Sequence, residues 1–397
     1  MVTRAGALER ERLHETFAAL CRIESPSGRE RACADWIADQ LRGMGLEVSE
    51  DGSGAEAGSN AGNLLARISA PGGETDPSAP TILFCAHMDT VPLAAPVEPV
   101  RVDEGWENAN DAILGADNKS AVAILLEVAR HFTSAPAPPP VGLELVFTTC
   151  EEVSLQGSRH FDTSQLRSTL GFVFDQATPV GGIVVASPTH YRIIAEVRGR
   201  PAHAGVRPEA GRSAIAAAAR AIAAMPLGRL DEQTTTNVGM IEGGSAINVV
   251  PEHCRVTAEV RSLDDARAAT VTTELIDHLQ DAADAGECDL DLTVERMFQG
   301  YRTKPKAPQL AVAERALLAC GYAPERIVSG GASDANSFMV DGLSCSCLAD
   351  GVRDNHTAHE RVSAQTLEDM LDVALTIVHE SAAELTGAGA GREAAAE

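Results

Sequence analysis

Aromatic residues make up only 4% of this 397-residue chain, and its 32 lysines and arginines are far outnumbered by 57 aspartates and glutamates. The resulting formal charge of −25 repels phosphate backbones and anionic lipid, which excludes nucleic acid and membrane surfaces as expected partners. No stretch of about 18 uninterrupted apolar residues occurs, and the amino-terminal run MVTRAGALERERLHE lacks the apolar segment of an export signal. Neither a membrane span nor export is expected, so the cytoplasm is the expected location. The nine cysteines (21, 33, 85, 150, 254, 288, 320, 345 and 347) are odd in number, form no C-x-x-C pair and mostly sit in apolar runs such as Phe84-Cys85-Ala86. They read as reduced, buried thiols. H-E-x-x-H and G-x-S-x-G are also absent, which removes the signatures of single-zinc and nucleophile-elbow serine hydrolases. The run from Gly115 to Ser120 looks like the end of a phosphate-binding loop, but Asn118 stands where the second glycine must be.

What is present is ordinary globular material, 44% apolar and 22% charged, in a chain longer than one hydrophobic core usually serves. Two domains are expected. Ser27-Gly28-Arg29-Glu30 has the capping-box pattern and precedes Ala32, Trp36, Ile37 and Leu41 at helical spacing. Leu46 to Val48 and Leu64 to Ile68 read as short strands. Thr81 to Ala86, Leu143 to Phe147 and Leu170 to Phe174 are continuous apolar runs of the kind buried on both faces of a parallel sheet, and the periodic helix Ala121 to Phe132 lies between the first two. From Tyr191 the pattern becomes half-buried alternation, and strands and helices then follow in the order β-α-β-β-α-β, which predicts a ferredoxin-like insert. The α/β character returns with a helix near Leu310 to Cys320, a strand near Leu343 to Leu348 and a closing helix Ala364 to Ala383. The expected fold is therefore α/β, a mixed, largely parallel sheet with helices on both faces, interrupted by an α+β domain. The expected boundaries are 1–188 and 304–386 for the discontinuous first domain, 189–303 for the insert, and 387–397 for a disordered tail.

Each buried strand ends in acidic or imidazole residues: His87 and Asp89 after the first, Glu151 and Glu152 after the second, Asp175 after the third. Carboxyl ends of strands are where open α/β sheets place ligand sites. A further acid, Asp117, stands where a loop enters a helix. Taken singly these are an N-cap, a turn residue or a satisfied buried histidine. Taken together, imidazole and carboxylate suit zinc, and a metal pair needs a shared carboxylate.

The ordered set A-H-M-D-T-V-P, G-A-D-N-K, C-E-E and F-D-Q resembles the M20 metallopeptidases, the aminoacylase and carboxypeptidase G2 group, over about His14 to Leu385. The resemblance implies a zinc-peptidase-like catalytic domain carrying two divalent ions, zinc with cobalt or manganese as substitutes. It implies that Asp117 bridges the pair, that His87 and Asp175 hold one ion, and that Glu152 and His356 hold the other. His359, three residues on in Asn355-His356-Thr357-Ala358-His359-Glu360, is the rival for that last place. Glu151 would be the general base, passing a proton from the attacking water to the leaving amine. Asp89 would orient the His87 imidazole through its other N–H.

In the insert, His203 within Arg198-Gly199-Arg200-Pro201-Ala202-His203-Ala204-Gly205 resembles the family's lid histidine, which stabilises the tetrahedral intermediate in the partner subunit. Asn248 would touch substrate and Arg261 would grip a carboxylate. The insert is thus expected to act as a lid and a homodimer interface. Ser329 to Asn336 is similar to the G-G-x-D-A-N loop of peptidase T-like members, with Ser333 as an extra residue. The expected activity is amide hydrolysis in small peptides, as a tripeptidase or aminopeptidase. The alternatives are an N-acyl amino acid amidohydrolase or carboxypeptidase of the same family, or a non-catalytic binding protein on the same fold.

Overall fold

The computed structural model describes residues 2–393 except 74, 75, 77, 136 and 137. Its chain divides into two compact units, Met1–Val185 with Thr303–Glu397, and Ala186–Arg302. The crossings lie at 185/186 and 302/303, against expected boundaries at 188/189 and 303/304.

In the first unit the sheet runs, in spatial order, Val48–Glu50, Leu64–Ile68, Gly142–Thr148, Thr81–His87, Leu170–Gln176, Ser344–Ala349 and Gly182–Ser187. The four strands from Gly142–Thr148 to Ser344–Ala349 are mutually parallel, and the flanking ones are antiparallel. All seven residues of Thr81–His87 are buried. Successive side chains point to opposite faces, so both faces of this strand are covered. Phe84 holds the middle of the layer, edge-on to Phe172 and Phe174 at ring separations of 6.0 and 5.4 Å. The helix Ala116–Ser134 packs on this strand and against the helices Ala7–Cys21 and Ala364–Glu393. One consequence of the parallel arrangement is functional: all four strands deliver their carboxyl ends to the same edge.

The second unit is a four-stranded antiparallel sheet in the order Thr234–Gly243, His253–Ser262, Thr189–Arg198, Asp289–Phe298, with a short strand Gly228–Arg229 at its edge. Numbered along the chain, the four long strands lie 2-3-1-4, the ferredoxin-like order. Alternation sorts its faces. Ile193, Ala195 and Val197 pack with Ala217, Ala221, Leu275 and Leu279 of the two helices, while Arg198–Asp291 and His253–Glu196 pairs occupy the polar face.

Four features depart from the sequence reading. The helix Ala7–Cys21 went unrecognised because ERERLHE is so polar, although Leu13, Phe17 and Leu20 are buried along one side. The hairpin Pro99–Val102 and Gly105–Asn108, joined by Arg361–Ser363 into a small sheet, carries no strong alternation. The capping box does not form. The helix Arg31–Gly43 starts without a side-chain cap, forgoing about 1 kcal/mol, because Ser27 donates to Asp89 Oδ2 at 2.7 Å and Glu30 turns inward. At the other end the closing helix continues to Glu393 where a disordered tail is expected from 387, and 394–397 lie outside the described residues. Among the described residues no helix is long and apolar enough to cross a membrane.

Candidate active site

The parallel strands carry their acidic and imidazole residues to one place in the first unit. His87 ends its strand fully buried, with Nε2 3.1 Å from Asp117 Oδ1 and 3.5 Å from Asp175 Oδ1. Asp117 reaches it from the start of the helix Ala116–Ser134, where Gly115 adopts φ 76°, a left-handed turn that suits glycine. The other Asp117 oxygen, Oδ2, lies 3.3 Å from His356 Nε2 and accepts a hydrogen bond from Asn355 Nδ2 at 2.8 Å. His356 also meets Glu152 Oε1 at 2.9 Å. Two ligand triads result, His87-Asp117-Asp175 and Asp117-Glu152-His356, each with its donor atoms within 4.8 Å of one another and both containing Asp117. Glu151 lies beside them, forming a third such group with His87 and Glu152. His359 belongs to none of these groups among the described residues.

The electrostatics call for positive charge. Burial, with Asp175 facing it, raises Glu151 well above the usual carboxylate range. Burial likewise raises Glu152 and pushes Asp175 up to about 7. Asp117 is held low despite burial, by hydrogen bonds from His356 and His87. Hydrogen bonds to Asp117 and Glu152 push His356 up to about 10. Burial works against a charged His87, but Asp175 and Asp117 overcome it and raise its pKa well above the ordinary value. Carboxylates crowded in low dielectric with two imidazoles are a donor set that fits divalent ions of zinc type, which take nitrogen and oxygen ligands together. Ion uptake must then displace the imidazole protons, so affinity falls as pH is lowered. We expect zinc added in hundredfold excess over Kd to stabilise chelator-treated protein by about 3 kcal/mol per ion. Calorimetry checks this, and an unchanged melting temperature would count against the site.

Asp89 does more than expected. His87 Nδ1 lies 3.0 Å from the Asp89 backbone carbonyl and 3.4 Å from its carboxylate. That carboxylate chiefly accepts the N–H groups of Glu151 and Glu152, at 3.0 and 3.2 Å. Backbone strain clusters here as well, with Cys150 at φ 52° and His356 at φ 62°, conformations costly for residues with a Cβ.

Three acids missed in the sequence belong to this region. Glu360 accepts from the N–H groups of Gly115 and Asp117 at 2.7 and 2.8 Å, fixing the loop that presents Asp117. Asp350 ends its strand as Asp175 nearly ends its own, and burial followed by the charge of Asp117 raises it well above the usual range. Asp334, inside the Ser329 to Asn336 run, is buried and accepts from the Thr148 hydroxyl. The strand-end rule that found Asp175 also points to Asp350.

The residues predicted in the insert lie in the second unit. His203 and Asn248 are neighbours there: His203 bridges Val249, and Ala204 N–H donates to Asn248 O at 2.9 Å. Arg261 is not with them. It pairs with His190 across the sheet, at the opposite end from Arg198 and His253, beside Glu259 at 3.1 Å and over the Phe298 ring at 5.9 Å.

Residues 189–287 match the M20 peptidase dimerisation domain, and residues 63–180 match peptidase family M28. Over 373 residues the chain is 32% identical to YqjE of Bacillus subtilis strain 168, covering 94% of this chain and 99% of that protein. The crystal structure of aminopeptidase PepT from Bacillus cereus ATCC 10987 superposes with a TM-score of 0.83 at 34% identity, over 94% of this chain and 99% of that one. A tripeptidase from Staphylococcus aureus subsp. aureus Mu50 superposes with a TM-score of 0.88 at 30% identity, over 96% and 99% of the two chains.

Proposed function

As a member of the M20 peptidases, similar to aminopeptidase PepT, the chain is a metal-dependent peptide hydrolase, and we propose that it is a tripeptidase or aminopeptidase using two zinc ions. The observation that carries this reading is the pair of ligand triads sharing Asp117, with Glu151 beside both. His87 and Asp175 would hold one ion, Glu152 and His356 the other, with Asp117 reaching both groups. When bound, the ions supply a Lewis acid for the scissile carbonyl and make a coordinated water acidic near neutrality.

The chain's own residues do the rest. Glu151, its proton affinity already raised by burial, takes the proton of the attacking water and delivers it to the departing amine. Asp89 and the backbone beside it fix the His87 ring, so that Nε2 faces Asp117 and Asp175. Glu360 holds the Asp117 loop. By the resemblance of their motifs, His203 is assigned to the developing oxyanion in the partner subunit, Asn248 to contact with substrate, and Arg261 to a substrate carboxylate. The match of residues 189–287 to a dimerisation domain supports a homodimer built through this unit. Nine free thiols, eight of them buried, support a reducing compartment such as the cytoplasm.

A panel of di- and tripeptides, N-acyl amino acids and carboxy-amidated peptides tests the substrate class. Tripeptides with a free amino terminus are expected to release their first residue fastest. Fastest turnover of N-acyl amino acids would replace this reading with an amidohydrolase. Arg261→Ala should raise KM for carboxylate-bearing peptides about 10–100-fold, the worth of a charge-assisted hydrogen bond, and leave amidated peptides unchanged. Equal effects on both would remove Arg261 from carboxylate recognition.

A further inference from the structure

Glu30 is fully buried, and its carboxylate is surrounded by neutral donors. Oε1 accepts from Gly28 N–H at 2.9 Å and from Cys150 N–H at 3.1 Å, with the Cys150 thiol at 3.2 Å; Oε2 accepts from the Ser59 hydroxyl at 2.6 Å. Taking a carboxylate out of water is costly, and a fold tolerates it only where the hydrogen bonds are strong. These bonds lead to the active site. Three consecutive amides, those of Cys150, Glu151 and Glu152, are each accepted by a buried carboxylate: Glu30 Oε1, Asp89 Oδ1 and Asp89 Oδ2. The first of the three residues is held at φ 52°, a conformation that a residue with a Cβ keeps only when its surroundings impose it.

We infer that Glu30 is a positioning residue for Glu151. It anchors the turn one residue ahead of the base, while Asp89 anchors the base and the neighbouring ligand. Glu30 lies in none of the ligand groups among the described residues. Its diversion also explains why the helix after it begins without a side-chain cap. The inference rests on Glu151 being the base. With Glu30 removed, the Cys150 N–H loses its acceptor, the turn is free to relax out of the left-handed region, and the Glu151 carboxylate shifts relative to its targets. A displacement of about 1 Å in such a group lowers turnover about 10²-fold.

The test is steady-state kinetics on the full-length, zinc-loaded chain, with metal analysis and melting temperatures measured in parallel. Glu30→Ala should lower kcat about 10²-fold, with KM within about threefold of the parent and both ions retained. Glu30→Gln, whose carbonyl can still accept from Cys150 N–H, should recover about tenfold of that loss. In the Glu151→Gln background, Glu30→Ala should change the residual rate less than about threefold, because its effect passes through the missing base. The assignment is overturned if Glu30→Ala leaves kcat near the parental value, if its rate loss follows metal loss, if the two Glu30 variants are equally impaired, or if the effects add fully in the Glu151→Gln background. Should the alanine variant fail to fold, the glutamine variant decides: kcat within about twofold of the parent overturns the inference. A parental rate in Glu151→Gln alone would instead defeat the base assignment. An inactive Glu151→Gln beside a harmless Glu30→Ala defeats only the role of Glu30.

Discussion

Replacing Glu151 by glutamine should lower kcat for tripeptide hydrolysis about 10²–10⁴-fold, the usual contribution of a positioned general base, and leave both metal ions bound. Glutamine matches glutamate in volume, so the buried slot that Glu151 fills keeps its packing. It cannot accept a proton. KM should change little, since nothing that binds the substrate is removed. The variant also separates two roles the geometry allows. Glu151 stands in a ligand-like group with His87 and Glu152 as well as beside the two triads that share Asp117. Loss of an ion from Glu151→Gln would identify it as a ligand, and retention of the parental rate would remove it from the chemistry.

Asp117→Ala should be more damaging, abolishing tight metal binding and lowering kcat/KM by more than about 10³-fold, since both ions lose a ligand and with them the Lewis acid. The two oxygens of Asp117 lie 3.1 and 3.3 Å from His87 and His356, and the Gly115 turn and Glu360 exist around it to hold it there. Elemental analysis beside kinetics distinguishes the possibilities. A variant that keeps two ions contradicts the shared-ligand role, and one that loses a single ion assigns Asp117 to one site only.

The reason this site could be read from sequence lies in the parallel sheet. Strands buried on both faces appear as largely apolar runs, so the acidic and imidazole residues that follow them stand out, as His87, Glu151 and Asp175 do. Asp350 follows the same rule at the end of Ser344–Ala349, but the strand expected near Leu343 to Leu348 carries two cysteines and two serines, so no unbroken apolar run marks its end. Glu360 was visible at the end of the His356 element, yet its role is a backbone contact made 243 and 245 residues away, for which sequence holds no local sign. Ser27 and Glu30 show the opposite failure. Their spacing is a sound capping signal, and tertiary demand overrode it by sending one side chain to Asp89 and the other to Cys150. Local rules are most often broken where the chain serves a site. His203 and Asn248 proved to be neighbours and Arg261 lay at the far end of their sheet, a separation set by strand register that the motifs alone do not carry.

Titrating zinc into chelator-stripped protein while following tripeptide hydrolysis shows whether a metal pair drives the reaction. Activity should be negligible without metal, rise with a break at two ions per chain, and show no such rise for Asp117→Ala. Undiminished hydrolysis by the stripped protein would contradict a metal-driven reaction.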